Sequence, residues 1–382
     1  MAAGKKRLIA AIGLASLLGL ALAGCAGGPP ATGGSGGDFR LLSAEADFRR
    51  LGLDGKQVAV WEDGRRSPQE SSSYEWWYFD GLLDDGTVIV AWLGDNWGYG
   101  TGTRNVSLEI TPPGKATRKY YKAYAEAGSY SRERAETRMG PHSFLGDLET
   151  YRIEVAPEEA GKPGIDLTLR RTVASYRPAT GVVSSGRGYF AWLVAVPNGE
   201  VSGTMRLDGV SRTVHGSGYH DHNWGNVSPV DLMDNWWWGR AVVGNRTVIA
   251  AELRAGRDVG GARVPFFFVA SPDKVEADSY DGESVKVTEG PMVRHPDPAH
   301  GRPIASWVSY ADRGGAEAVF PISERLLTSQ DFLQGQNWAV QAMAGMAGLR
   351  LWYSRFESPV TLKVPGMEKM SGGGTLEFIE FR

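Results

Sequence analysis

Beyond about residue 45 the chain is written in short alternating or apolar runs rich in Val, Ile, Tyr, Trp and Thr. Gly, Asp, Asn and Pro break these runs, which is the pattern of antiparallel strands joined by tight turns. Tyr74 to Leu83, the turn Asp84-Asp85-Gly86 and Thr87 to Leu93 predict one hairpin; Gly188 to Val196, Pro197-Asn198-Gly199 and Val201 to Leu207 predict a second. Helical periodicity is confined to Glu324 to Met346, where Gly335, Gly345 and the following Gly348 weaken it. The expected class is all-β.

The pattern repeats. Trp76-Trp77-Tyr78-Phe79-Asp80-Gly81-Leu82-Leu83-Asp84-Asp85-Gly86-Thr87-Val88-Ile89 lies without gaps on Trp236-Trp237-Trp238-Gly239-Arg240-Ala241-Val242-Val243-Gly244-Asn245-Arg246-Thr247-Val248-Ile249. A weaker match, Gly216-Ser217-Gly218-Tyr219-His220-Asp221 on Gly372-Gly373-Gly374-Thr375-Leu376-Glu377, follows in the same order. Two homologous β domains are inferred, 46–228 and 229–382, each near the size of an eight-stranded antiparallel barrel, which can hold one small ligand.

The N-terminus is different in kind. Lys5-Lys6-Arg7 precedes an uncharged apolar run from Leu8 to Ala23, shorter than the roughly 20 residues a spanning helix needs, so 1–24 reads as a secretory signal peptide. Leu22-Ala23-Gly24-Cys25 resembles a bacterial lipobox, which makes Cys25 the expected lipidation site. Diacylation there would anchor the chain extracytoplasmically in the cell envelope. Residues 25–45, rich in Gly, Pro, Ala, Ser and Thr at their start, read as a flexible tether.

Composition narrows the function. With 382 residues, 22% charged and a formal charge of −3, the chain has no basic excess for nucleic acid, and its single cysteine excludes disulfide scaffolds and four-thiolate metal sites. Thirteen tryptophans promise large aromatic surfaces.

Gly218-Tyr219-His220-Asp221-His222-Asn223-Trp224-Gly225 is the densest chemical cluster. On a strand, Tyr219, Asp221 and Asn223 share one face and His220, His222 and Trp224 the other. His-x-His suits a metal, but no third ligand is identifiable, so neither metal nor cofactor is expected. Two readings of Asp221 stand: an acid whose pKa is raised by aromatic surroundings, or a structural carboxylate pinning the last strand, as its counterpart Glu377 suggests. The aromatic pairs Trp76 with Tyr78 and Trp236 with Trp238 also have two readings, core packing or a wall for a flat or cationic ligand.

Glu75-Trp76-Trp77-Tyr78, Gly146-Asp147 with Tyr151, Tyr189-Phe190-Ala191-Trp192 and above all the Gly218 to Gly225 string resemble the hydroxyneurosporene synthase family, that is, carotenoid 1,2-hydratases and their AttH-like relatives. The resemblance implies two tandem lipocalin-like antiparallel β-barrels and a hydrophobic isoprenoid, carotenoid or polyketide-like substrate. For hydration it implies that neutral Asp221 protonates a terminal alkene and that a water held by His220 or His222 captures the cation. The aromatic lining would come from Tyr219, Trp224, Trp76, Tyr78, Trp236 and Trp238. Two alternatives remain: a non-catalytic, membrane-anchored lipid or isoprenoid carrier serving an envelope transporter, and a pericyclase that works by shape.

Overall fold

The computed structural model describes residues 39–68, 73–95, 104–125, 128–334, 336 and 338–382. The signal segment, Cys25, most of the tether and the glycine-rich residues 98–102 lie outside the described residues. Two compact units divide the remainder: Ser43–Val182 with Gly188–Ser228, and Pro229–Arg382 with Val183–Arg187 and residues 39–42. The end of the 25–45 segment is ordered: Phe39, Leu41 and Leu42 are buried, and Arg40–Leu41 pair antiparallel with Val183 and Ser184. Apolar side chains returning after the Gly- and Ser-rich stretch account for this.

Unit 1 is built on β1 (Tyr74–Leu83), β2 (Val88–Asp95), β3 (Arg104–Thr111), β4 (Arg118–Tyr124), β5 (Ser129–Tyr130), β6 (Glu136–Met139), β7 (His142–Gly146), β8 (Thr150–Val155), β9 (Gly164–Arg171), β10 (Gly188–Leu207) and β11 (Val210–Gly225). Their spatial order is β4-β3-β2-β1-β11-β10-β9-β8-β7-β6-β5, so every strand but the pair β4 and β5, which stand at the two open edges, is bonded to its neighbour in sequence, and the first is pinned to the last. Unit 2 repeats the plan with β12 (Met233–Val243), β13 (Arg246–Ala255), β14 (Arg263–Ser271), β15 (Lys274–Ser279), β16 (Val285–Glu289), β17 (Trp307–Asp312), β18 (Glu317–Pro321), β19 (Leu326–Asp331), β20 (Trp352–Lys363) and β21 (Met370–Glu380). Here the order is β15-β14-β13-β12-β21-β20-β18-β17-β16, with β19 added on β20.

One sheet curls into a half-barrel and the other into a nearly closed barrel. They contain thirteen and ten strands, not the eight expected, because short strands such as β5 and β6 extend an edge and the strands Arg40–Leu41 and Val182–Ser185 pair off the main path of the first. Among the described residues no helix is long and apolar enough to cross a membrane.

Pairing registers carry the duplication to individual residues. Tyr78 faces Asp221 on β11, and Trp238, its counterpart, faces Glu377 on β21. The shared glycines have a steric cause. A Cβ on Gly216 would lie 2.3 Å from the Leu82 carbonyl oxygen, and one on Gly372 would lie 2.1 Å from that of Val242, at the equivalent crossing.

The first predicted hairpin is present, closed by Gly86 with φ 81° and by the Gly86 amide donating to the Leu83 carbonyl. The second is not a hairpin. β10 runs unbroken from Gly188 to Leu207, and Pro197-Asn198-Gly199 falls where its pairing with β11 slips register. Because β11 pairs on both sides of this point, the turn residues are absorbed as a bulge, where a proline needs no ladder hydrogen bond. Likewise the expected helical stretch divides: Leu326–Asp331 is strand β19, and only Trp338–Met346 is helix.

Inside unit 1, Trp77 and Phe79 of β1 pack with Leu93, Leu108, Phe144 and Ile153. In unit 2, Trp237, Phe267, Tyr310, Phe320 and Phe356 form the corresponding core. Alternation along β1 therefore sends Trp77 inward and leaves Trp76 and Tyr78 half-buried on the outer face.

Candidate functional site

The same alternation on β11 creates two different environments back to back. On the outer face Asp221 lies opposite Tyr78, and Asn223 opposite Trp76. Trp192 Nε1 donates to Asp221 Oδ2 at 2.9 Å, Tyr219 OH donates to the same oxygen at 2.8 Å, and Asn223 Nδ2 donates to Oδ1 at 2.9 Å. Tyr78 meets Tyr219 edge-on, with centroids 6.4 Å apart, and Tyr176 meets Trp192 in the same way at 6.2 Å.

The three donors are neutral. Burial pushes the Asp221 carboxyl up, the hydrogen bonds from Trp192 and Tyr219, the His220 charge and the Asn223 bond pull it down, and the balance leaves it at about 6. Glu377, at the equivalent place in unit 2, faces the Arg355 guanidinium at 3.5 Å. Held by neutral donors in an apolar setting, Asp221 can keep its proton near neutrality.

The raised value has a stability consequence of definite sign. The folded chain holds the Asp221 proton more tightly than the unfolded chain, so stability is lost as pH rises from the ordinary value of 3.8 to about 6. The loss is about 3 kcal/mol. Asp221→Asn is expected to remove it, flattening the pH dependence of unfolding in that window. Trp192→Phe removes a donor to the ionised form and should raise the Asp221 titration by about one unit, read by carboxyl-carbon NMR.

His220, His222 and Trp224 sit on the opposite, inward face. His220 Nε2 lies 3.1 Å from Asp63 Oδ2 and its Nδ1 2.8 Å from the Tyr78 carbonyl oxygen. His222 Nε2 lies 2.8 Å from Glu75 Oε1 and its Nδ1 3.4 Å from Asp63 Oδ1. Three of these four ring nitrogens lie within hydrogen-bond distance of an oxygen acceptor, so both rings are fixed in orientation. Tyr151 OH donates to Asp63 Oδ2 at 2.5 Å; burial and the Asp63 charge hold the phenol well above its ordinary value, so it keeps its proton.

Glu75 is raised by burial, but the bond and charge of His222, with Ser67 and the Arg66 amide, outweigh this and hold it below the ordinary carboxylate range. Nearby, Arg65 Nη2 donates to Asp95 Oδ2 at 2.7 Å. Trp77 stacks on His222 at 4.6 Å, and Trp224 lies against the same ring at 4.8 Å.

The motif Gly146-Asp147 with Tyr151 belongs to this inner cluster. Asp147 Oδ1 accepts from the Glu149 and Thr150 amides, closing the β7–β8 turn, and Gly146 pairs with Tyr151. A Cβ on Gly146 would lie 2.0 Å from the Tyr151 ring. Gly146→Ala should therefore push the ring away from Asp63 and cost about 1–3 kcal/mol in thermal or urea unfolding.

The residues singled out from sequence are thus separated. Asp221, Tyr219, Trp76 and Tyr78 share the outer face, and the structure does not bring His220, His222 or Trp224 to them. The scheme in which those histidines hold the water for an Asp221-protonated alkene gains no support from this placement, because the strand itself lies between them. Trp236 and Trp238 take the equivalent outer positions in unit 2, where Trp236 packs on Phe381 at 5.1 Å. Asp63, Arg65 and Asp95 stand in none of the sequence motifs. Trp192 and Asn223 appear in the sequence motifs, without the roles they take here. Among the described residues no group of three or more His, Cys, Asp and Glu side chains is arranged to hold a metal ion.

No known family profile matches the chain. Over 210 residues it is 26% identical to hydroxyneurosporene dehydrogenase of Chlorobaculum tepidum, covering 44% of this chain and 53% of that protein. The match therefore spans about half the relative's length. Among solved structures, CghA with Sch210972 superposes with a TM-score of 0.60 at 11% identity, over 86% of this chain and 97% of CghA. An AttH assignment from Nitrosomonas europaea gives 0.57 at 14% identity over 86% and 99%. Kievitone hydratase from Nectria haematococca gives 0.53 at 12% identity over 85% and 96%. The chain shares the fold of these proteins.

Proposed function

We propose that this chain is a lipocalin-like member of the AttH and carotenoid-hydratase superfamily. In this reading it binds a small hydrophobic alkene of isoprenoid or carotenoid type on the outer aromatic face of unit 1 and adds water to a terminal double bond. The observation that carries the reading is Asp221: a carboxyl held near 6 among Trp192, Tyr219 and Asn223. The likenesses to a hydratase and to a protein named for a hydroxylated carotenoid support the substrate class and reaction.

Protonated Asp221 gives its proton to the less substituted carbon of the terminal double bond, and the tertiary cation left on the other carbon is stabilised by the faces of Trp76 and Tyr78, worth ~0.5–2 kcal/mol for each contact. Water adds to the cation, and its surplus proton returns to the Asp221 carboxylate. Atoms balance as alkene plus water to tertiary alcohol. His220 and His222, with Asp63 and Glu75, hold the barrel interior and with it the register that presents Asp221. The N-terminal segment is read as a lipoprotein address, placing the protein in the bacterial envelope with its substrate dissolved in the neighbouring membrane.

A carrier reading is favoured by one observation: both Asp221 oxygens already have donors, as in a purely structural carboxylate. Incubation with lycopene or neurosporene separates the two. Hydroxylated product supports the hydratase, while stoichiometric recovery of unchanged ligand supports the carrier.

A further inference from the structure

We propose that the helix Trp338–Met346, here α1, is a bilayer-docking element that seats its exposed side chains in the interfacial layer of a phospholipid membrane. No charged residue occurs between Asp331 and Arg350. Trp338, Ala342 and Met346 recur at intervals of four and form one stripe, with Met343 beside it. Trp338 is 82% exposed, Met346 83% and Met343 43%, whereas Ala344 on the inner side is fully buried. A soluble surface helix turns its polar face outward; this one turns apolar side chains outward, with Gln341 as the sole polar residue in the helix.

The exposure is held by structure. The Leu349 amide donates to the Ala344 carbonyl and the Gly348 amide to that of Gly345. Gly348 takes φ 70°, completing a glycine-closed helix end. Phe332, buried, pairs its amide with the Leu351 carbonyl at 3.0 Å and fixes the base of the excursion.

Two features select a lipid surface as the occupant. The chain from the expected acylation site at Cys25 to Phe39 can span at most about 50 Å, so an anchored protein keeps its folded part within reach of the bilayer. In the same unit the ribbon Met292–Arg294 with Pro303–Ala305 exposes Met292 by 60% and Val293 by 41%. Arg294 and Arg302 are exposed beside them. An Arg350 hydrogen bond to the His300 carbonyl ties this loop to the chain leaving α1. Apolar side chains next to arginines suit an anionic phospholipid headgroup layer. Docking here is independent of catalysis at Asp221.

Hydrogen exchange of the full chain tests it, with and without vesicles of phosphatidylcholine and phosphatidylglycerol in equal parts. Amides of 338–349 should slow several-fold when vesicles are added, with the strands of unit 1 unchanged. Trp338→Ser with Met346→Ser, both on exposed positions, should abolish the slowing and lower vesicle co-sedimentation several-fold. Exchange unaffected by vesicles overturns the proposal. So does slowing that appears without lipid and grows with protein concentration, which would assign the helix to a second copy of the chain.

Discussion

Asp221→Asn is expected to lower turnover of a terminal-alkene substrate by a factor of about 10² or more while leaving ligand affinity and folding close to wild type. The fold survives because the amide can keep its oxygen toward Trp192 and Tyr219, while Asn223, by turning its own amide, accepts from the new nitrogen. What is lost is the transferable proton. In the wild type the rate should fall as pH rises through about 6, since the acid must be protonated to act. The residual rate of the variant should show no such limb. Steady-state rates across this range, with ligand binding followed by tryptophan fluorescence, check both statements.

The second large effect belongs to the inner face. Asp63→Ala removes the acceptor shared by His220 and Tyr151 and the carboxylate beside His222, leaving a buried ring nitrogen and a buried hydroxyl without compensation. Loss of one partner from such a cluster costs about 3–5 kcal/mol. Native-state hydrogen exchange at β1 and β11 should register it. The folded fraction should still turn substrate over, because Asp63 acts on the side of β11 away from Asp221. The acid limb of stability has the opposite sign to that of Asp221. Glu75 is held below the ordinary carboxylate range, so its contribution is present above its unfolded value of 4.5 and is lost as pH falls through the depressed one.

The duplicated aromatic strand was legible because its signals are local: Trp-Trp-Tyr and Trp-Trp-Trp before a turn and a Thr-Val-Ile strand. The glycine match Gly216 to Gly372 was legible too, and the strand crossings explain it. Alternation along Tyr219 to Trp224 already separated Asp221 from the histidines. The structure keeps that separation, with Asp221 on one side of β11 and His220 and His222 on the other. Asp63 had no such signal. It lies 157 residues from His220 in sequence and comes from a single short turn, Val60–Asp63, whose residues show no periodicity. Pro197-Asn198-Gly199 misled for a related reason. The same residues serve a hairpin or a bulge, and the continuity of β11 decides between them.

The central claim is that water is added across an alkene with Asp221 as the acid. Incubating the chain with neurosporene or lycopene in ¹⁸O-labelled water and weighing the product by mass spectrometry tests it directly. A tertiary alcohol carrying one solvent oxygen, formed by the wild type and absent with Asp221→Asn, is the predicted result. Unmodified ligand from the wild type, or equal labelled product from both chains, would contradict it.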